Sequence, residues 1–116
     1  MNPLSDIDIS TFEALKEAMG ADYIGELVQA YCEETPQLLS KLQEALEKQD
    51  IDGFRRAAHS IKSTSNSFGA LQFGELAKEL EMMGREAKLD GAAKKVEALV
   101  SGYGAVQQAL EELSHG

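Results

Sequence analysis

Apolar residues recur at helical spacing in five segments of this chain, and no segment of useful length alternates apolar and polar residues with period two. A sheet therefore has nothing to be built from, and the fold has to come from packed helices. The first helix is expected over about 10–19, capped by Ser10 or Thr11, with Phe12, Leu15 and Met19 on its stripe and Gly20 as its stop. The second, about 22–49, keeps Ile24, Leu27, Val28, Tyr31, Leu38, Leu39, Leu42, Ala45 and Leu46 in phase across Pro36, and so reads as one helix kinked at the proline. The third, about 51–67, starts from Asp50 or Asp52 and turns Phe54, Ala57, Ala58, Ile61 and Ser65 inward, a face continued by Phe68. The fourth, about 70–87, carries Leu71, Phe73, Leu76, Ala77, Leu80 and Met83. The fifth, about 90–113, carries Ala93, Val96, Leu99, Val100, Tyr103, Val106 and Leu110, with His115 read as a frayed tail. The connections near Asp50, Gly69 and Asp90-Gly91 span only a few residues, which sets neighbouring helices antiparallel. The expectation is an all-α, up-down-up-down four-helix bundle with a short extra N-terminal helix, one domain over residues 1–116.

Charge and cysteine content remove several function classes. A net charge of −9 lacks the basic field of a nucleic-acid binder. Cys32 stands alone, which excludes a disulfide framework and a thiolate metal site and makes a structural thiol the expected role. No apolar run approaches the roughly 20 residues of a membrane span. The opening MNPLSDIDIS has no basic region followed by an apolar one, so no secretory signal is read and a cytoplasmic, monomeric protein is expected. An initiating Met1 close to the first helix fits a stand-alone protein.

Within the third helix, His59 falls about 140° from the centre of the apolar stripe, at roughly 100° per residue. It is expected in solvent. Its neighbours one turn away are Arg55, Arg56, Lys62 and Ser63, so three cations surround an exposed imidazole in an acidic protein. Such a ring offers a lone pair to an electrophile at neutral pH. The cations disfavour the imidazolium and would stabilise an arriving phosphoryl group, while the small Ser63 leaves room for a partner.

The run RRAAHSIKSTSNSFGAL resembles the histidine-containing phosphotransfer, or HPt, family, and also the phosphoryl-accepting N-terminal domain of chemotaxis histidine kinases. The resemblance rests on Ala58, His59, Ile61 and Lys62, followed by Ser65, Asn66, Phe68, Gly69 and Ala70, with Leu80-Glu81 in the place of a Leu-Glu pair in the next helix. It covers nearly the whole chain in segment order. It implies a helical bundle whose His59 carries a phosphoryl group between receiver-domain aspartates. By the same resemblance Lys62 helps hold the phosphoryl oxygens, with Arg55, Arg56 and Ser63 beside it and Asn66 at the partner-docking surface. Partners would be response-regulator receiver domains and a hybrid or chemotaxis-type sensor kinase, and no cofactor or metal is required. One residue departs from the pattern: Ser63 stands where the family usually has glycine, leaving partner identity and transfer rate open.

Three rival readings stand against this one. A metal-carboxylate bundle needs paired Glu-x-x-His motifs facing inward, and this chain has one such spacing, Glu112 with His115. A complete histidine kinase needs an ATP-binding domain for which 116 residues leave no room. The alternative that remains is a non-catalytic helical interaction module, in which His59 has no special role.

Overall fold

The computed structural model describes residues 6–115. Five helices follow one another: α1 (Ile9–Met19), α2 (Ile24–Lys48), α3 (Ile51–Ser67), α4 (Leu71–Arg85) and α5 (Ala92–His115). No strand occurs among the described residues. The single-domain reading over 1–116 extends at both ends beyond them. Pro36 lies inside an unbroken α2, as the in-phase stripe predicts.

Helix ends follow local chemistry, with two departures from expectation. Asp8, not Ser10 or Thr11, caps α1: its carboxylate accepts from Thr11 N at 3.1 Å and also from the Thr11 hydroxyl. That satisfies an N–H left without a partner inside the helix, so the helix starts one residue earlier. Helix α5 runs on through His115, past the expected end near 113, and the Ser114 hydroxyl donates to the Glu111 carbonyl in that last turn. Asp50 caps α3, accepting from Gly53 N at 3.0 Å.

Helix α2 lies against α3 and α5, and α4 also lies against α3 and α5, while α1 touches α2 and α3. The inward faces meet in one core that includes Phe12, Leu42, Phe54, Ile61, Phe73, Leu80, Leu99 and Leu110, all fully buried. Ser65 sits on the apolar face because it has a partner there. The Tyr31 hydroxyl and the Ser65 hydroxyl lie 2.7 Å apart in the core, and burial pushes the Tyr31 phenol up to about 12. Burial likewise raises the thiol of the half-buried Cys32, in keeping with a structural role.

Three stripe residues are corrected. Leu71 and Met19 are exposed, and Ala93 yields its place to the buried Ala92. Leu71 lies two residues before Phe73, about 160° around the helix from it. Met19 ends α1 beyond the Phe12 contact. In α5 the buried side chains Ala92, Val96, Leu99, Tyr103, Val106 and Leu110, with Gly102 buried beside them, form an i, i+4, i+7 series on which Ala93 is off-centre.

The chain turns from α3 into α4 at Gly69. Its φ of +90° suits glycine, and a Cβ there would meet the Asp8 carbonyl oxygen at 2.7 Å. The Gly69 carbonyl accepts from Asp8 N at 2.8 Å, which ties the start of α1 to the α3–α4 turn.

Candidate functional site

Helices α3 and α4 make the most extensive contact in the molecule, and glycine on α4 sets how close they come. A Cβ on Gly84 would stand 3.0 Å from Arg55 Cβ and 3.2 Å from Arg55 Cα, so the two backbones touch there. A Cβ on Gly74 would strike the Asn66 amide. Asn66, expected at the docking surface, is exposed yet lays its side chain against α4 at Gly74.

Between those two glycines, α4 turns Glu81 toward α3. Its side chain is 3% exposed, an unusual burial for a carboxylate, and charged partners meet both of its oxygens. Lys62 Nζ donates to Oε1 at 2.6 Å, and His59 Nδ1 lies 2.7 Å from Oε2. Arg85 Nη2, one turn further along α4, reaches Oε2 at 3.4 Å. Burial alone would raise the Glu81 carboxyl, but the hydrogen bonds from Lys62 and His59 outweigh it. They hold the group below its ordinary value of 4.5. Glu81 is therefore ionised at neutral pH, and an ionised carboxylate only accepts hydrogen bonds.

The consequence falls on the ring. His59 Nδ1 must carry the hydrogen that it shares with Glu81, which fixes the tautomer of the neutral imidazole and leaves Nε2 with its lone pair. The ring itself is 55% exposed on α3, as the helical wheel predicts.

Each of the three cations expected around the ring already has an acidic partner. Asp52 accepts from Arg55 at 2.7 Å and from Arg56 at 2.9 Å, and Lys62 is bound to Glu81. The reason is helical spacing: Asp52 stands three and four residues before the two arginines and in the first turn of α3, where a carboxylate also suits the helix dipole. Ser63 is exposed one turn beyond His59, its backbone carbonyl accepting from the Ser67 hydroxyl at 3.1 Å. Sequence reasoning placed Glu81 in a Leu-Glu pair but gave it no role. A Glu on an otherwise apolar helical face, between Leu80 and Gly84, was the available signal.

Beside this cluster, α2 and α3 leave a groove of about 440 Å³ floored by Leu38, Ala45 and Ala57 and edged by Lys41, Arg56 and Ser60. Its lining includes Ser60, next in sequence to His59 but about 100° around α3 from it, and also the charged Glu44, Lys48 and Asp50. No group of three or more His, Cys, Asp or Glu side chains suited to a metal ion occurs among the described residues. No described helix is long and apolar enough to cross a membrane.

The site is thus an exposed imidazole on an open helical surface, oriented from below by a buried carboxylate. The chain belongs to the Hpt domain family, whose model matches residues 26–116. It is similar in structure to histidine-containing phosphotransfer protein B of Pseudomonas aeruginosa PAO1, with a TM-score of 0.87 and 26% identity over 94% of each chain. No curated protein matches it. Its role is histidine phosphotransfer in phosphorelay signalling.

Proposed function

We propose that His59 is the phosphoryl acceptor and that Nε2 is the atom that takes the group. The observation that carries the assignment is the Glu81 bond to Nδ1, which leaves Nε2 as the nucleophile on an exposed ring. In the forward step the Nε2 lone pair attacks the phosphorus of a receiver's aspartyl phosphate. The phosphorus–oxygen bond breaks, and its electron pair leaves on the aspartate carboxylate. The ring gains positive charge as the nitrogen–phosphorus bond forms, and Glu81, already holding Nδ1–H, stabilises that charge. The reverse step returns the group to a second receiver. The partner supplies the metal ion and most of the transition-state stabilisation, so the chain acts as a carrier without a kinase or ATP site of its own.

Lys62 fixes Glu81 with one of its three donors and has two left for phosphoryl oxygens. Ser63 offers a hydroxyl in place of the family glycine, and Arg55 and Arg56 add positive field weakened by Asp52. Asn66 supports docking from the α3–α4 seam. The chain works as one monomeric domain in the cytoplasm, its four long helices arranged up-down-up-down with α1 as an added cap. Receiver domains, and a hybrid or chemotaxis-type kinase behind them, are the partners. The groove between α2 and α3 offers the partner an apolar floor of Leu38, Ala45 and Ala57 rimmed by charges of both signs, Lys41, Glu44, Lys48, Asp50 and Arg56, alongside the helix that carries His59.

The test is incubation with a panel of phosphorylated receiver domains. The chain should acquire an acid-labile, base-stable label, and His59→Gln should acquire none. Label on a histidine of that variant would refute the assignment.

A further inference from the structure

We infer that the outer face of α4 is a pairing surface for a second copy of this chain, the two α4 helices lying antiparallel across a two-fold axis. The surface is separate from the acceptor site, and its test stands whether or not His59 takes the phosphoryl group.

Four residues make the surface. Leu71, Glu75, Lys78 and Met82 follow the i, i+4, i+7, i+11 spacing of one helical face and lie within about 60° of one another, along about 16 Å of α4. Phe73 and Leu80, which α4 buries in the core, stand about 160–180° around the helix from Leu71, so the stripe points away from the bundle. Among the described helices α4 packs on α3 and α5 alone, and all four stripe residues are exposed. Leu71 is 43% and Met82 51% exposed, although both are large apolar side chains.

The charges on the stripe are uncommitted as well. Glu79, on the flank toward α5, is taken by Lys95 at 2.8 Å, and Glu81 is taken by Lys62 and His59. Glu75 and Lys78 stand three residues apart, yet neither forms an ion pair among the described residues. One acid, one base and two apolar side chains are left in solvent on the same line.

Their order decides what fits there. In an antiparallel pair related by a two-fold axis, each contact between two different residues occurs twice with the roles exchanged. An axis passing between Leu76 and Ala77 sets Leu71 against Met82 of the second copy and Glu75 against Lys78 of the second copy, and the two reciprocal contacts follow. All four residues find complements at once, apolar against apolar at the ends and opposite charges in the middle. A parallel pairing would instead set Glu75 on Glu75 and Lys78 on Lys78, so the pattern selects the antiparallel one. A different partner would need this order in reverse, and a second copy already carries it. The contact is small against the roughly 1,000 Å² of a stable interface, which makes the pairing weak and concentration-dependent. Each copy keeps its own His59 on a different helix and works as a monomeric domain when dilute.

The test is sedimentation velocity of the full chain from about 10 µM to about 1 mM, with ¹H–¹⁵N NMR over the same range. Wild type should pass from monomer to dimer, with the moving amide signals confined to α4. Leu71→Glu and Met82→Glu should stay monomeric and melt as wild type does, since both positions are exposed. Lys78→Glu sets acid against acid and should weaken the dimer about tenfold, because the change acts twice across the axis. Glu75→Lys should do the same. The double variant Glu75→Lys with Lys78→Glu restores opposite charges across the axis and should pair as wild type does. A wild type that stays monomeric throughout would overturn the inference, as would a dimer that survives Met82→Glu or a double variant no tighter than the single ones. So would a chain that stays monomeric while its α4 signals move on adding a phosphorylated receiver, since the stripe would then belong to the receiver.

Discussion

Replacing Glu81 by Gln keeps the volume of the side chain and removes the charge that Lys62, His59 and Arg85 all face. Taking one partner from a fully buried ion pair costs about 3–5 kcal/mol. Here Lys62 retains 23% side-chain exposure and His59 and Arg85 more than half, so all three rehydrate, and a loss of about 1–2 kcal/mol is expected. The effect on chemistry is separate. An amide both donates and accepts, so it no longer fixes Nδ1 as the protonated nitrogen, and it carries no charge to stabilise the ring during attack. One charge-assisted hydrogen bond is worth about 1.5–3 kcal/mol, and the exposure of the ring puts the loss at the lower end, about tenfold in rate. The sign of the pH dependence follows from the lowered carboxyl. Its contribution to stability is complete above the ordinary 4.5 and is lost as pH falls through the lower value of the folded state. Thermal melts of wild type should therefore decline more steeply across that acid window than those of Glu81→Gln. Rapid-quench transfer from a phosphorylated receiver and ¹⁵N NMR of the ring measure the rest. If Glu81→Gln transferred within twofold of wild type with Nδ1 still protonated, the buried carboxylate would not be what orients His59.

His59→Gln should leave thermal stability within about 0.5 kcal/mol of wild type because the ring is mostly in solvent, whereas Ile61→Ala, in the core two residues on, should cost roughly 2–5 kcal/mol in a denaturant titration. Lys62→Ala strips the buried Glu81 of its closest cation, so it should slow transfer about tenfold and also destabilise the fold by about 1–3 kcal/mol; a variant with a normal melt would contradict the anchoring role. Gly104→Ala, with open space around its Cβ, should raise stability by up to ~1 kcal/mol in the same assay, while Gly84→Ala, forced against the Arg55 backbone, should lower it by about 1–2 kcal/mol; equal effects would show that the α3–α4 contact is not tight.

Periodicity alone determined a great deal of this protein. Helical spacing with no competing period of two specified the five helices, kept α2 whole across Pro36 and placed His59 in solvent, because each of these depends on residues within a few turns of one another. Helix starts were less legible, since any of several neighbouring Asp, Ser or Thr side chains can cap, and Asp8 prevailed by reaching Thr11. Inward and outward assignments failed only at helix ends and one position off the stripe, as at Met19, Leu71 and Ala93. The site was half legible. The neighbours of His59 on α3 lie within about one turn of it in sequence, so their proximity needed no tertiary knowledge. Charge pairing was legible in part: Asp52 lies three and four residues before Arg55 and Arg56 on one helix, whereas the partner of Lys62 and His59 comes from another helix. Glu81 lies 22 residues from His59, and only the close approach of α3 and α4 at Gly84 brings a buried carboxylate onto Nδ1. Sequence spacing specifies what shares a helical face; which charge faces which across two helices is decided by how near their backbones can come.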